Sequence, residues 1–410
     1  MGLFRRNKNN NKPVVKQIID LIPRYKLRAV TDQYKTDKGC HKYRTYDQLV
    51  ALTFGQLNNS KSLRDISAGI GVCGTFIADL GLTQSPARST MSDGNKKRNY
   101  QVFESLYSKL YTHYKGLLAQ RGLSSELKEL ENCRIKLVDS STVTVCLAMF
   151  DWAKYRTAKG GIKLHTCIDD EILVPEIVNI TEASLHDSKG FEHLIFAPKT
   201  VIVEDRAYYN FQLMKSRINA DNIFVTRIKN NTLYTVIEEL ELPDGQDEHI
   251  LKDEIIMLSS DKAKETGMDS CKLRLVHVYK EDENKVIEII TNNLDWAAST
   301  IAALYKRRWE IELFFKALKQ NLKVKTFWGT SENAVRSQIF VALIVYLLTE
   351  LVRRAIVKGE IAYSTLIERL RMCMAFYLSL DYVCNHIGDG AKKAKIPEQQ
   401  KMDFSPNLFT

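Results

Sequence analysis

The chain has 410 residues, of which 45% are hydrophobic and 26% charged, the ordinary range for a globular protein with a sizeable core. Its net charge is +10, and the stretch through Tyr46 carries most of it, with twelve Lys and Arg against three Asp. No apolar signal-peptide core follows Met1, and the longest apolar run, at 339–348, is about half the length that spans a bilayer. We therefore expect a cytoplasmic protein without membrane spans and with a polyanion as its partner.

The basic N-terminal stretch, which includes Arg5 and Arg6, has an alternative interpretation as a solubilising tail. A basic arm on a nearly neutral body is more typical of nucleic-acid binding. The eight cysteines are scattered and form no Cys-x-x-Cys pair, which predicts reduced cytosolic thiols.

Residues 1–130 are polar and have helical spacing of their apolar positions. Helices are predicted around 47–54, from Ser60 onward, and from Tyr100 to Arg121. A stretch rich in Ser, Thr, Pro and Gly at 83–94 predicts a linker between them.

From Arg134 the apolar residues alternate, as they do in half-buried strands. A first strand begins there, a second is predicted at 162–168 and a third at 172–180, which together form an antiparallel meander. The continuous apolar run at 200–203 predicts a fourth strand that is buried on both faces.

Several short strands follow between 223 and 291, separated by turn-forming residues, and they predict a β-rich block. After Leu294 the apolar spacing becomes helical again. Helices are predicted at about 299–322 and 331–357, and the remaining residues form a loose tail.

The first of these two helices carries a narrow polar stripe. A helix turns about 100° per residue, which places Tyr305, Arg308, Glu312 and Lys319 on one side over nearly four turns. Glu310 points elsewhere, so the stripe holds one carboxylate flanked by cations and a phenol. The alternative interpretation is a ladder of ion pairs spaced by one helical turn.

Two further acids lie in settings that suggest a site. Asp139 stands in an otherwise apolar strand, where a carboxylate is costly unless it meets a cation. Glu204 and Asp205 end the fourth strand, where α/β sheets place their sites, and spacing alone does not choose between them; either acid alone is also typical of a turn. With Glu312, these acids make an oxygen-only trio whose mutual repulsion a divalent cation relieves, with Mg²⁺ or Mn²⁺ favoured.

The spacing of the polar stripe resembles a family signature. Tyr, two residues, Arg, three residues, Glu, six residues and Lys is the pattern of the DDE transposases of bacterial insertion sequences, specifically the insertion-sequence-four type. This chain has that pattern at Tyr305, Arg308, Glu312 and Lys319. The resemblance covers about 134–350 and, more weakly, the helical N-terminal region.

Three shorter motifs carry the same resemblance. Residues 205–208, Asp-Arg-Ala-Tyr, are similar to the family's second-Asp motif, and residues 138–141 are similar to its first. The pair His186-Asp187 resembles the family's short His-Asp element. The resemblance therefore implies Asp139, Asp205 and Glu312 as the catalytic acids.

The resemblance also implies the fold and the domain organisation. We expect a mixed α/β protein whose RNase H-like core is interrupted by a β-rich insertion and preceded by a helical DNA-binding region. The DNA-binding region with its basic arm is expected at 1–130. The core is expected in two pieces, at 131–222 and 295–357, with the insertion between them at 223–294. The tail is expected at 358–410.

The implied activity is the cleavage of DNA at the ends of a mobile element and the joining of those ends to target DNA. Asp139, Asp205 and Glu312 would hold two Mg²⁺ ions, for which Mn²⁺ substitutes. The residues that would grip DNA phosphates are Tyr305, Arg308 and Lys319, with Lys316 extending the basic surface.

The implied partner is double-stranded DNA, both the terminal inverted repeats and the target. The N-terminal arm with Arg5 and Arg6 would bind the repeats, and relatives act as homodimers on DNA. The expected location is the nucleoid in the bacterial cytoplasm. Two other functions stay open: a nuclease or resolvase with the same metal chemistry, and a non-catalytic DNA-binding derivative.

Overall fold

The computed structural model describes residues 12–119, 125–130, 133–145, 152–156, 159–191, 194–242 and 247–387. Arg5 and Arg6 lie outside these ranges, as do residues 388–410 of the predicted tail. Residues 358–387 of that tail are not loose as predicted, because they include the helices Tyr363–Cys373 and Leu380–Asn385. The predicted mixed α/β fold is confirmed, with helices packed against one large mixed sheet.

The N-terminal region is helical, as predicted. Its helices are α1 (Val14–Ile19), α2 (Arg24–Tyr34), α3 (Thr45–Leu57), α4 (Leu63–Ile70), α5 (Gly74–Asp79), α6 (Arg88–Lys97) and α7 (Gln101–Leu118). The Ser62 hydroxyl caps α4 by accepting a hydrogen bond from the Asp65 amide, and the Asp65 carboxylate accepts one from the Ser62 amide.

The predicted linker at 83–94 is wrong, because most of it belongs to α6. The helix buries only Met91 and Asn95, one turn apart. The Asn95 amide oxygen accepts a buried hydrogen bond from the Gln48 side chain at 2.8 Å. A polar side chain thus anchors α6, and a reading of composition alone could not detect that contact.

One mixed sheet carries the rest of the fold. Its strands are β1 (Arg134–Val145), β2 (Lys154–Arg156), β3 (Lys159–Asp169), β4 (Pro175–Glu182), β5 (Thr200–Glu204), β6 (Ile223–Arg227), β7 (Tyr234–Glu239), β8 (Ile250–Leu258), β9 (Leu273–Lys280) and β10 (Lys285–Thr291). Their order is β2-β3-β1-β5-β6-β10-β9-β8-β7, and β4 also pairs with β3. The predicted antiparallel meander is therefore confirmed.

The middle of the sheet is parallel. β1 pairs with β5 and β5 with β6 in the parallel direction, and β10 then pairs antiparallel with β6. β7 to β10 extend this same sheet rather than forming a separate one. The pairing of β1 with β5 ends at Val138, so Asp139 in the middle of β1 lies level with the carboxyl ends of β5 and β6, where parallel sheets place their sites.

The remaining helices are α8 (Asp187–Gly190), α9 (Phe211–Asn219), α10 (Asp261–Thr266), α11 (Ala298–Arg307), α12 (Trp309–Asn321), α13 (Glu332–Ile356), α14 (Tyr363–Cys373) and α15 (Leu380–Asn385). The predicted helix at 331–357 is confirmed as α13, with Ser331 as its cap. The apolar run at 339–348 is buried within it. None of the described helices is long and apolar enough to cross a bilayer.

α13 joins the N-terminal helices to the sheet layer. It packs against α7 and α3, and a single hydrophobic core runs from Val14 through α13 to the strands of the core sheet. Trp328 reinforces this junction, because its indole N–H donates to the Ser60 carbonyl at 3.1 Å. The N-terminal helices and the sheet are thus parts of one packed body.

Candidate active site

Asp139 lies near the middle of β1, at the edge of the core. Its side chain is 15% exposed, and one carboxylate oxygen accepts a hydrogen bond from the Ser140 amide at 2.7 Å. Burial raises the pKa of Asp139 to about 7, and the charges of Asp205 and Glu312 add to the rise, whereas Arg308 opposes it. Three acids that are far apart in the sequence are therefore electrostatic neighbours.

The structure separates the two acids that end β5. Glu204 is fully buried and forms an ion pair with Arg217 of α9. Asp205 lies one residue further along, is half-buried, and accepts a hydrogen bond from the Arg206 amide at 2.7 Å. A structural ion pair occupies Glu204, so only Asp205 faces the surroundings of Asp139.

The predicted single helix at 299–322 is wrong, because it breaks at Arg308 into α11 and α12. The Arg308 amide donates to the Tyr305 carbonyl at 3.1 Å, and the Arg308 carbonyl accepts from the Ile311 amide at 3.2 Å. Both bonds span three residues, so the chain tightens locally there. Periodicity could not show this, since one tightened turn hardly changes the spacing of apolar positions.

Arg308 is the centre of the polar stripe. Its guanidinium lies 2.6 Å from a Glu312 carboxylate oxygen and 3.6 Å from an Asp139 oxygen. It also lies over the Tyr305 ring, 5.8 Å from the centroid. The ion-pair alternative holds for Arg308 and Glu312, but the contact with Asp139 on another element shows that the stripe is more than a local ladder.

Lys319 reaches β1 from the far end of α12. Its ammonium group donates to the Ser141 hydroxyl at 2.5 Å and to the Thr142 carbonyl at 3.0 Å. Burial, with Lys325 nearby, lowers the pKa of Lys319. The predicted phosphate-binding residues Tyr305, Arg308 and Lys319 thus lie near Asp139 or Asp205, and Lys316 is exposed on the same helix as Lys319.

A polar brace supports β1 beside Asp139. The Ser140 hydroxyl donates to the Asp187 carboxylate, which also lies 3.0 Å from the Lys163 ammonium group. Although burial opposes it, these hydrogen bonds hold the pKa of Asp187 below its usual range. The His186-Asp187 motif therefore places a carboxylate that orients the residue next to Asp139.

Two exposed apolar side chains were not singled out from the sequence. Trp309 is 56% exposed and Leu313 is 42% exposed, and both lie on α12 beside Arg308 and Glu312. They are four residues apart and lie on the opposite side of α12 from its buried residues Ile311, Phe314, Phe315 and Leu318. That spacing is the signal that could have identified them as a surface feature.

The described residues contain no group of three acidic, His or Cys side chains at metal-binding spacing. The Arg308 guanidinium contacts both Asp139 and Glu312 instead. The donors nonetheless suit a hard divalent cation, because all three are carboxylates, and the charges of Asp205 and Glu312 add to the rise that burial causes in the pKa of Asp139.

Comparison with known proteins decides the family. Residues 134–348, about half of the chain, match the model of the transposase DDE domain. The chain belongs to the DDE transposase family. This confirms the resemblance at the level of the family, whose members generally use divalent metal ions. Residues 10–83 also match a domain of unknown function, DUF4372.

Several relatives carry transposase names. The chain is 33% identical over 217 residues to a probable transposase for insertion sequence element IS5377 of Geobacillus stearothermophilus, a match that spans 52% of this chain and 55% of that relative. It is 29% identical to the putative transposase y4zB of Sinorhizobium fredii, over 66% of this chain and 72% of the relative. It is also 29% identical to a putative transposase for insertion sequence element IS4SA of Synechocystis, over 70% of this chain and 77% of that relative.

Among solved structures, the piggyBac transposase synaptic complex with hairpin DNA is similar at a TM-score of 0.38. The identity is 11%, and the match covers 91% of this chain and 82% of that chain. The assignment of this DDE transposase to its family rests on the sequence matches instead.

Proposed function

We propose that this chain is a transposase that cleaves DNA at the ends of an insertion sequence and joins those ends to target DNA. The observation that carries the proposal is the electrostatic effect of Asp205 and Glu312 on Asp139, together with the contact of Arg308 with both Asp139 and Glu312. The three acids come from a strand, a strand end and a helix. An acid trio of this kind, in a DDE transposase family member, is what metal-assisted phosphodiester transfer requires.

The three carboxylates would hold two divalent cations, Mg²⁺ with Mn²⁺ as substitute. Cations held there would supply activation of the attacking oxygen and stabilisation of the leaving oxygen. The side chains prepare for this without the ions: the Ser140 amide and the Asp187 brace orient Asp139 and its neighbour, and Arg308 balances the negative charge.

The cations of α12 serve the phosphate. Arg308 offers a planar pair of donors suited to a phosphate, and Lys319 offers a point charge at the other end of the stripe. The Tyr305 ring supports the Arg308 guanidinium through a cation–π contact. For Arg308 to grip DNA, its bonds to Glu312 and Asp139 must be exchanged for bonds to a phosphate.

The same proposal covers the partners. The N-terminal region, with Arg5 and Arg6 in its basic arm, would bind the terminal inverted repeats, and Lys316 would extend the surface that follows the DNA. Two copies would pair two ends as a homodimer at the bacterial nucleoid. We also propose the insertion-sequence-four type, which the spacing of Tyr305, Arg308, Glu312 and Lys319 supports and with which the name of the IS4SA relative agrees.

The test uses purified full-length protein, a plasmid that carries the DNA flanking its gene, and Mg²⁺. Wild-type protein is expected to cut at the element ends and to produce joined products at new sites. Asp139→Ala and Glu312→Ala are each expected to reduce cleavage to background while binding of the end DNA is kept, because the acids act on the reacting phosphate. Unchanged cleavage by either variant would refute the site.

Glu310→Gln is the matched control, since Glu310 lies two residues from Glu312 on the same helix and pairs with Arg307 at 3.6 Å. Its cleavage is expected to match wild type. Cuts without joined products would favour the nuclease or resolvase. End binding without any cuts would favour the non-catalytic derivative.

A further inference from the structure

A second group of cations borders the acids on the side of β5 and β6. Arg227 is the last residue of β6, Arg206 follows Asp205, Lys229 lies just beyond β6, and Lys262 is exposed on α10. We call these four residues the β6 basic cluster. None of the roles described above uses it.

The sheet register brings the cluster level with the acids. Val138 of β1 pairs with Glu204 of β5, so Asp139 and Asp205 each follow the last pair of that ladder. Val203 pairs with Val225 of β6, and Asp205 and Arg227 each lie two residues further on. Residues two apart in strands share a face, so Asp139, Asp205 and Arg227 follow one another across the sheet.

The electrostatic couplings agree with this placement. Asp205 and Arg227 both act on the Tyr305 phenol, and Asp205 also acts on Asp139. Lys229 is coupled to Arg206 and to Lys262. The cluster therefore continues directly from the acid centre toward α10.

Two side chains of the cluster are fixed by hydrogen bonds, but in the described part of the chain no carboxylate neutralises them. Among the described residues, none of its four cations forms an ion pair with a carboxylate. Lys229 is held in place, because its ammonium group donates to the Tyr209 carbonyl at 3.0 Å and lies 5.6 Å from the centre of the Tyr209 ring. The Arg206 guanidinium donates to the Asn230 side chain at 3.1 Å.

Holding like charges together without a counter-charge is unfavourable. Burial lowers the pKa of Lys229, and the charges of Lys262 and Arg206 lower it further. A phosphate bound beside Lys229 would raise its pKa and so oppose the lowering by Lys262 and Arg206. The neighbouring Lys264 shows the ordinary alternative, since it pairs with Asp261 on the same helix at 3.4 Å.

We propose that the β6 basic cluster is a second phosphate-binding site, which holds the DNA backbone where it leaves the acid centre on the side of Asp205. The proposal rests on the proposed function and adds a surface to it. Arg308 and Lys319 hold the DNA from the side of α12, so the two groups would hold the duplex on both sides of the cleaved bond. The phosphates belong either to the element end or to the target DNA.

The test compares full-length wild type with Arg227→Gln/Lys229→Gln, with Lys262→Gln and with the matched control Lys264→Gln. Affinity is measured by fluorescence anisotropy on two duplexes, one with the element end and one of unrelated sequence, as the salt concentration is raised. Each phosphate contact contributes about 0.9 to the slope of log affinity against log salt. The double variant is expected to lower the slope by about 1.8 and Lys262→Gln by about 0.9, and Lys264→Gln should leave it unchanged.

A loss of slope on both duplexes supports a site for any backbone, and a loss on the end duplex alone assigns the cluster to the element end. If both the double variant and Lys262→Gln keep the wild-type slope, the cluster is not a phosphate-binding site, and the proposed function is unaffected. Lys262 is exposed, so its variant tests the cluster even if the double variant folds poorly. If wild-type protein binds neither duplex, the proposed function fails, and the cluster fails with it.

Discussion

The cations on the two sides of the acid centre differ in what they already contact. Just before α12, Arg308 is paired with the carboxylates of Glu312 and Asp139, whereas Lys319 at the far end of that helix donates to the uncharged oxygens of Ser141 and Thr142. On the β6 side, the cations of the basic cluster have no carboxylate partner among the described residues. A paired charge helps to maintain the site in the free protein, whereas an unpaired charge gains a partner only from a ligand.

The largest effect on stability is expected at the end of β5, where Glu204 is paired with a buried cation and the next residue, Asp205, lacks such a partner among the described residues. Glu204→Ala leaves Arg217 buried without a counter-charge and is expected to lower the free energy of unfolding by about 3–5 kcal/mol. Asp205→Ala removes an acid without such a partner and should cost less than about 1 kcal/mol. Urea unfolding of both variants checks this, and equal losses would contradict the structural role of Glu204.

On the paired side, Arg308→Gln is expected to slow end cleavage by about 100-fold to 1,000-fold, the usual cost of removing one donor that stabilises developing charge. The rate of cleavage of an end-containing duplex measures it. Lys306→Gln serves as the control, because Lys306 is exposed on the neighbouring turn. A wild-type rate for Arg308→Gln would show that its pairing is only structural.

A further effect concerns pH. The pKa of Asp139 is about 7 in the folded protein against an ordinary value of 3.8. Between these values the folded protein holds a proton that the unfolded chain releases, so ionising Asp139 lowers stability as pH rises from about 4 to 7. Asp139→Asn lacks this loss, and its stability relative to wild type is expected to grow over that window and to level off above pH 7. Unfolding free energies of both proteins across that window test this, and a constant difference would contradict it.

The smallest effect is expected far from the acids. Glu283 pairs with Lys280 and Lys285, which hold its pKa at about 2. Glu283→Gln releases both lysines at the surface, where such pairs add little to stability. The unfolding midpoint and the affinity for duplex DNA should stay at wild-type values. Tighter DNA binding would show that freeing any surface cation is enough, wherever it lies.

Most of the strands and the long helices could be predicted from the sequence, because alternation and helical spacing record which faces are buried. The strands of the meander and α13 are where the spacing predicts them. Two of the wrong predictions, the linker at 83–94 and the single helix at 299–322, share a cause. A contact with another helix holds α6, and one tightened turn interrupts the helix at Arg308. Neither feature changes the local spacing of apolar residues.

The candidate site was predictable in part. The spacing of the stripe on α12 identified Arg308 and Glu312 as neighbours, but spacing did not separate Glu204 from Asp205, because that choice depends on Arg217 of a later helix. The β6 basic cluster was not predictable at all. Its members come from a strand end, two loops and a helix, and only the register of β5 and β6 aligns them with the acids.

The pairing of β6 with β10 has a consequence for how such a protein can change. Arg227 and Ile289 lie opposite each other, so the chain enters and leaves the segment between them at neighbouring points of the sheet. A segment with adjacent ends can be lengthened, shortened or exchanged without moving β1 or β5, which carry or border the acids. The fold thus allows the segment between Arg227 and Ile289 to change in length or sequence while Asp139 and Asp205 keep their positions relative to each other.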